Sequence, residues 1–242
     1  MLRAGVSRFL YSSSCSIYGA SGEQTLTEEA PLNPLTPYAL SKVHAEWAIA
    51  ALADDDFSPV FLRNATAYGV SPRLRADLVL NNLVGWAWTT GRVRILSDGT
   101  PWRPIVHIED IARAFAAILA APREVIHNQA FNVGADGENY QVRDLAEIVR
   151  ETTAGCTIEY AGETAPDPRD YRVSFIKLRQ AFPALRPLWD ARRGAQQLYE
   201  AYRDAGVCLD EFQGRRYVRL KQLQHLLATE QLDEELRWRS SR

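Results

Sequence analysis

The chain has 242 residues, of which 46% are hydrophobic and 24% are charged, and its formal net charge at pH 7 is −2. This length and apolar content provide for one substantial core or two small ones. The small net charge gives no case for a nucleic-acid or membrane partner held by bulk electrostatics. Three widely spaced cysteines indicate a reducing compartment and no metal cluster. No stretch approaches the length of a membrane span, and residues 1–8 do not form a signal peptide, so we expect a soluble cytoplasmic protein.

The first predicted element is a short apolar run that stops at three serines. Residues 9–11 read Phe-Leu-Tyr, and Ser12, Ser13 and Ser14 follow them. A buried parallel strand that ends at a polar site has this pattern. In an open α/β sheet, sites lie at the carboxyl ends of the strands, so Ser14 is placed to hold a substrate hydroxyl or ketone.

A helix is predicted after the polar, turn-rich residues 20–36, which we interpret as a surface loop. Thr36 is suited to the N-cap and Pro37 to the first helical position. Tyr38 and Lys42 then lie one turn apart on the same face of the helix. An ammonium beside a phenol stabilises the phenolate, which makes Tyr38 a candidate general acid/base with Lys42 as its partner. Taken alone, such a pair is more often a solvated surface pair.

Together these two segments resemble the extended short-chain dehydrogenase/reductase family, whose NAD-dependent epimerases and dehydratases act mostly on nucleotide sugars. The resemblance rests on Ser-Ser-Ser-Cys-Ser-Ile-Tyr-Gly at residues 12–19 and on Tyr-Ala-Leu-Ser-Lys at residues 38–42, and it extends to about residue 180. It implies that Ser14, Tyr38 and Lys42 are the catalytic residues. Lys42 would also hold the nicotinamide ribose of the cofactor.

The next strand is predicted at residues 59–63, an apolar run that ends at the polar residues 64–69. In the family, the tail of this strand contacts both cofactor and sugar. The resemblance therefore implies an NAD or NADP cofactor contacted by Ser12, Tyr38, Lys42 and Asn64. It also assigns Thr66 to the substrate. Many relatives carry Asn at this position, and the Thr hydroxyl can still donate and accept.

An amphipathic helix is predicted at residues 77–88, followed by a strand at 93–96. Asn81 on this helix is a candidate substrate contact, although solvent-facing asparagines are the default. Residues 102–112 carry the second strong resemblance, in which the family uses the position of Arg103 against the diphosphate of the nucleotide sugar. A guanidinium on a rigid strand suits bidentate phosphate recognition.

The segment at residues 167–172, Asp-Pro-Arg-Asp-Tyr-Arg, resembles the part of the family that closes the nucleotide pocket, with Pro166 in place of the usual Gly. The resemblance places Arg169 against phosphate or base. A solvated charge cluster explains this segment equally well. His107, which ends the strand after Arg103, is interpreted as a structural hydrogen-bonding residue.

The order of elements predicts an α/β fold: an incomplete Rossmann-like parallel sheet, a small α/β substrate-binding region and a helical C-terminal tail. We expect residues 1–75 to form the C-terminal part of an NAD(P)-binding domain with the Ser/Tyr/Lys site. Residues 76–187 would interleave Rossmann and substrate-binding segments, and residues 188–242 would form a helical extension. The resemblance further implies a homodimer paired through helices that include the one bearing Tyr38.

The residues after Ser14 bear on the reaction. Sugar-nucleotide 4,6-dehydratases of the family place Asp-Glu there, because elimination of water needs an extra acid and base. This chain has Cys15 and Ser16, which disfavours dehydration. The resemblance thus implies an NAD(P)-dependent nucleotide-sugar epimerase or 4-ketoreductase. The alternative is a non-catalytic binding or assembly module derived from the same fold, with the C-terminal helices as its working surface.

The Gly-rich turn of the dinucleotide fingerprint does not precede the first strand of this sequence. The resemblance therefore suggests a fragment, a sequence with a late-assigned start, or a truncated relative.

We predict that the 242-residue chain by itself binds NAD and NADP weakly or not at all and shows no turnover. The pyrophosphate site is built from glycine-loop amides at a helix N-terminus, and a strand at residues 9–11 without upstream neighbours has an open edge. Calorimetric titration of the purified chain with both dinucleotides tests this expectation. Micromolar binding would contradict it.

Overall fold

The computed structural model describes residues 5–160 and 169–239. Its strands are β1 (Arg8–Ser14), β2 (Ala20–Leu26), β3 (Ser58–Asn64), β4 (Thr66–Tyr68), β5 (Arg92–Ile95), β6 (Trp102–His107), β7 (Gln129–Val133), β8 (Asn139–Gln141), β9 (Thr157–Tyr160) and β10 (Asp170–Val173). Its helices are α1 (Pro37–Ala50), α2 (Val79–Thr90), α3 (Ile108–Ala120), α4 (Arg123–Ile126), α5 (Val142–Thr152), α6 (Ile176–Ala181), α7 (Ala191–Asp204), α8 (Leu209–Phe212) and α9 (Arg219–Ala228). Within these described ranges, no helix has the length and apolar character needed to cross a membrane.

A parallel three-stranded sheet in the order β1-β3-β7 forms the Rossmann-like part of the fold, which confirms the predicted α/β class. β3 takes the central place, so all seven of its residues are buried. In the described part of the chain β1 pairs on its β3 side, and its Phe9 and Tyr11 are half-buried. The register sets Ser14 beside Asn64 and Asn64 beside Val133, so the three carboxyl ends meet at one edge of the sheet.

Within the described residues, two hydrophobic clusters make up the core. The first packs around the central sheet and includes Leu62 and Phe131. The second packs α2, α5 and α7 against β5 and includes Leu83, Leu145 and Leu198. Strands β4-β6-β8 and the parallel pair β5-β9 complete this smaller α/β region. The helical C-terminal region that the sequence predicts is present as α7, α8 and α9.

The prediction of a surface loop over residues 20–36 is wrong for its first part. β2 is a strand that pairs in parallel with β10, with Thr25 opposite Arg172 and Leu26 opposite Val173. Its sequence, Ala-Ser-Gly-Glu-Gln-Thr-Leu, lacks the apolar alternation by which a half-buried strand is recognised. Backbone pairing with a distant strand overrides the local polar character.

A buried ion pair holds α1 against the central sheet. Arg63 on β3 donates from Nη2 to Oε2 of Glu46 on α1 at 2.8 Å, and its Nε lies 3.2 Å from both carboxylate oxygens. The two side chains are only 9% and 5% exposed. Nη1 of Arg63 donates to Tyr18 Oη at 3.1 Å and to the Glu28 carbonyl at 2.9 Å. Because both charged groups are fully engaged, the helix is fixed relative to the strand.

Glu46→Ala is expected to lower the free energy of unfolding by about 3–5 kcal/mol, because it leaves the Arg63 charge buried and unpaired. The double variant Glu46→Leu with Arg63→Met should lose less than the single variant, because it removes both charges. Urea denaturation measures both changes. The control is Glu147→Ala, whose carboxylate pairs with Arg150 at an exposed site and should change stability by less than about 1 kcal/mol. Equal small losses for Glu46→Ala and Glu147→Ala would contradict this account.

Candidate active site

Small polar side chains are tied together at the carboxyl edge of the central sheet. Asn64, the last residue of β3, donates from Nδ2 to Ser12 Oγ at 3.0 Å and to the Ser13 carbonyl at 3.3 Å. The Oδ1 atom of Asn64 is buried, and no residue in the described ranges hydrogen-bonds to it. The structure therefore brings two of the predicted cofactor contacts, Ser12 and Asn64, into direct contact.

The start of α1 agrees with the sequence. Thr36 Oγ1 accepts a hydrogen bond from the Ala39 amide at 3.1 Å, and Pro37 follows the cap. Tyr38 is 55% exposed. Lys42, one turn later, donates from Nζ to the Ser12 carbonyl at 2.7 Å.

Lys42 stands between the end of β1 and Tyr38. Its Nζ lies 4.9 Å from the centroid of the Tyr11 ring and 5.6 Å from that of the Tyr38 ring. Burial lowers the pKa of Lys42, and the Glu46 carboxylate opposes that shift. A lysine with a depressed pKa, next to an exposed phenol at a sheet edge, is the kind of group that concentrates at functional sites.

Ser14 is hydrogen-bonded to Ser16, whereas Cys15 between them is buried in the core. Ser14 Oγ donates to Ser16 Oγ at 2.9 Å and accepts from the Ser16 amide at 3.2 Å, so it caps the short 3-10 helix Cys15–Tyr18. Cys15 is fully buried, and its thiol donates to the Arg63 carbonyl at 3.0 Å. Burial raises the pKa of the Cys15 thiol. Cys15 therefore packs in the core.

A cavity of about 300 Å³ opens next to this edge, and three of the predicted substrate contacts line it: Thr66, Arg103 and Arg169. Arg103 is 6% exposed and donates from Nη1 to the carbonyls of Trp102 and Arg169. These bonds fix its guanidinium at the cavity wall. The neighbouring Pro166 and Asp167 lie outside the described residues.

The structure does not bring Asn81 to this cavity. Its side chain is 2% exposed, with Oδ1 accepting from the Gly69 amide and Nδ2 donating to the Arg75 carbonyl, both at 3.0 Å. Both ends of the amide thus hold the loop that follows β4. Asn82, one residue further along the helix, lines the cavity instead.

Sequence reasoning missed Arg94, which also lines the cavity. The signal was present in the alternation of β5, where Val93 and Ile95 are buried and Arg92 and Arg94 are not.

His107 has a structural environment. Its Nδ1 accepts from the Glu109 amide at 3.2 Å, which places the proton on Nε2, 2.9 Å from Gln197 Oε1. The ring stacks on Trp189 with centroids 4.0 Å apart. Both ring nitrogens are thus engaged within the protein, as the structural interpretation requires.

A second cavity, of about 240 Å³, lies between β6, α3 and the loop after β7. It is mostly apolar, but Tyr68 Oη and Glu138 Oε2 are buried in its wall and have no hydrogen-bond partner among the described residues. Tyr140 Oη donates to the other oxygen of Glu138 at 3.1 Å. Burial, together with the negative charges of nearby acids, raises the pKa of Glu138 to about 7.

Glu138→Gln is expected to flatten the fall in stability between pH 5 and pH 8. The native wild-type chain keeps the Glu138 proton up to a pKa of about 7, whereas the unfolded chain releases it near its ordinary value, so stability is lost as the pH rises through this window. Thermal unfolding midpoints at several pH values measure the effect. The control Glu124→Gln, at an exposed carboxylate, should follow the wild-type profile. Identical profiles for wild type and Glu138→Gln would contradict the prediction.

Comparison with known proteins places this site in context. The profile of the NAD dependent epimerase/dehydratase family matches residues 1–134. The UDP-glucose 4-epimerase of Bacillus subtilis (strain 168) is 27% identical over 215 residues, which cover 82% of this chain and 62% of that protein. The UDP-glucose 4-epimerase of Neisseria gonorrhoeae is 30% identical over 226 residues, which cover 83% and 63%. The chain therefore spans less than two thirds of the length of these relatives.

Solved structures share the fold. MoeE5 in complex with UDP-glucuronic acid and NAD superposes with a TM-score of 0.70 and 28% identity, over 84% of this chain and 67% of that one. The dTDP-glucose 4,6-dehydratase of Bacillus anthracis in complex with NAD gives a TM-score of 0.72 at 22% identity, over 84% and 64%.

Proposed function

Because the chain belongs to the NAD-dependent epimerase/dehydratase family, we propose that it supplies the catalytic and substrate-binding part of an NAD-dependent nucleotide-sugar epimerase or 4-ketoreductase. The observation that carries this proposal is the position of the Lys42 ammonium between the Ser12 carbonyl and the exposed ring of Tyr38. Tyr38 transfers a proton to or from the sugar oxygen, with the Lys42 ammonium 5.6 Å from the centre of its ring. Ser14 orients that oxygen, since its hydroxyl keeps a lone pair after bonding to Ser16.

The residues at the sheet edge fit the nicotinamide end of a dinucleotide. The Oδ1 atom of Asn64 is an acceptor to which no described residue donates. The Lys42 ammonium donates one of its three N–H groups to the Ser12 carbonyl, which leaves two for a ligand. Ser12, Asn64, Tyr38 and Lys42 would hold the ribose and the nicotinamide. When bound, NAD supplies a reversible hydride acceptor. Structural neighbours that are NAD complexes support NAD as the cofactor.

A nucleoside diphosphate sugar is the substrate class that the second half of the site favours. Arg103 and Arg169 line one cavity with Thr66, and guanidinium groups suit bidentate binding of phosphate. MoeE5 has been solved with UDP-glucuronic acid and with UDP-glucose, and the similar proteins of Bacillus subtilis and Neisseria gonorrhoeae are UDP-glucose 4-epimerases. UDP-hexoses and UDP-hexuronic acids are therefore the first substrates to try.

Epimerisation or keto-reduction suits this site better than dehydration. Elimination of water needs a further acid and base beside the Tyr. The two residues after Ser14 offer neither, because the Cys15 thiol is buried with a raised pKa and Ser16 is buried in contact with Ser14.

A homodimer in the cytoplasm remains part of the proposal. α1 leaves Leu40 43% exposed and Trp47 61% exposed, and these apolar side chains suit pairing with the same helix of a second copy.

In a protein that carries this chain together with a complete dinucleotide-binding half, Tyr38→Phe is expected to lower kcat about 10²–10⁴-fold, because the acid/base group is lost. Turnover is followed by NMR of the sugar protons after incubation with NAD and either UDP-glucose or UDP-glucuronic acid. The control is Tyr199→Phe on α7, where the ring packs edge-on against Trp88 and turnover should not change.

Wild-type turnover by Tyr38→Phe would remove Tyr38 from the mechanism. If the wild-type protein converts neither sugar nucleotide, the non-catalytic binding module becomes the better description.

A further inference from the structure

Arg94 holds a fixed position at the wall of the cavity that Arg103 and Arg169 also line. On β5, its neighbours Val93 and Ile95 are buried in the second hydrophobic cluster. Arg94 is less buried than these two neighbours, and it lines the cavity beside Ile95 and Leu96. The face of Trp86 on α2 lies 5.2 Å from the Arg94 guanidinium carbon, and this contact holds the cation in place.

The guanidinium of Arg94 lacks an acidic partner among the described residues. Its Nε is buried without a hydrogen bond. Glu159 lies opposite it in the β5–β9 register, but the Glu159 carboxylate pairs with Arg92 at 3.0 Å. Asp77, the acidic residue at the cavity wall, pairs with Arg75. A buried donor left unsatisfied in this way is a group for which a ligand is expected.

We infer that Arg94 is a third guanidinium ligand for the diphosphate of the nucleotide sugar, beside Arg103 and Arg169. The inference rests on the proposed function, which supplies the substrate class. A diphosphate brings two negative charges and several acceptor oxygens into the space that Arg94 lines, whereas a sugar carboxylate brings one charge and two oxygens. The planar fork of Arg94 suits two of those oxygens at once.

Calorimetric titration of the full 242-residue chain with UDP and with UMP tests the inference. Arg94→Gln should weaken UDP binding roughly 10- to 100-fold, the usual range for one charge-assisted hydrogen-bonded contact. UMP should lose less, because it lacks the second phosphate. Arg94→Lys should fall between wild type and Arg94→Gln, since it keeps the charge and loses the fork.

The matched control is Arg92→Gln. Arg92 lies two residues earlier on the same strand face, is exposed, and pairs with Glu159. It does not line the cavity, so UDP affinity should match that of the wild type. The urea midpoint of each variant separates binding from folding: a purely structural Arg94 would show a lower midpoint for Arg94→Gln with unchanged UDP affinity, and that result overturns the inference.

The remaining outcomes separate the inference from the proposed function. If Arg103→Gln weakens UDP binding and Arg94→Gln does not, the inference fails and the proposed function stands. If Arg94→Gln weakens binding of inorganic pyrophosphate but the wild-type chain shows no preference for UDP or UDP-sugars, the phosphate site stands and the nucleotide-sugar function fails. If the wild-type chain binds neither UDP nor pyrophosphate, the inference fails.

Discussion

The buried pair of Arg63 and Glu46 is the interaction on which the geometry of the site depends. Glu46 lies one turn after Lys42 on α1, and Lys42 lies one turn after Tyr38, so the three side chains lie along one side of the helix. One end of this row is fixed to the central strand by the ion pair, at 2.8 Å. Its middle is fixed to β1 by the bond from Lys42 to the Ser12 carbonyl. Tyr38 is consequently positioned by two charged tethers, although its own ring is exposed.

The ion pair belongs to a polar network that crosses the core. The Tyr18 hydroxyl accepts a hydrogen bond from Arg63 and donates one to Asn132 Oδ1 at 2.8 Å. The backbone N–H of Asn132 donates to Glu28 Oε1 at 2.7 Å. Each charged or polar group in this chain of contacts has a fixed partner, which makes such networks rigid and costly to break. Because these contacts join β3, β7 and the segment after β1, they set the relative positions of the strand ends that form the site.

Local signals explain what the sequence could predict. The Thr36 cap, Pro37 and the four-residue spacing of Tyr38 and Lys42 act within one or two helical turns, and the structure has them as expected. The sequence did not predict β2, because this strand depends on pairing with β10, which lies more than a hundred residues further along the chain. The choice between Asn81 and Asn82 depends on about 100° of rotation per residue around a helix, which the apolar pattern of α2 does not resolve.

The link between the two halves of the site is a short piece of extended chain. β3 ends at Asn64, β4 begins at Thr66, and Ala65 between them is buried and bonded to the Val133 carbonyl at 3.0 Å. Two extended residues span about 7 Å, and alternation directs Asn64 and Thr66 to the same side. Asn64, at the sheet edge beside Ser12, and Thr66, at the wall of the arginine-lined cavity, are therefore held close together by a rigid connection. Under the proposed function, one nucleotide sugar would place its sugar at the acid/base residues and its phosphates in the arginine-lined cavity, so the ion pair under α1 and the cavity beside β5 would serve a single site.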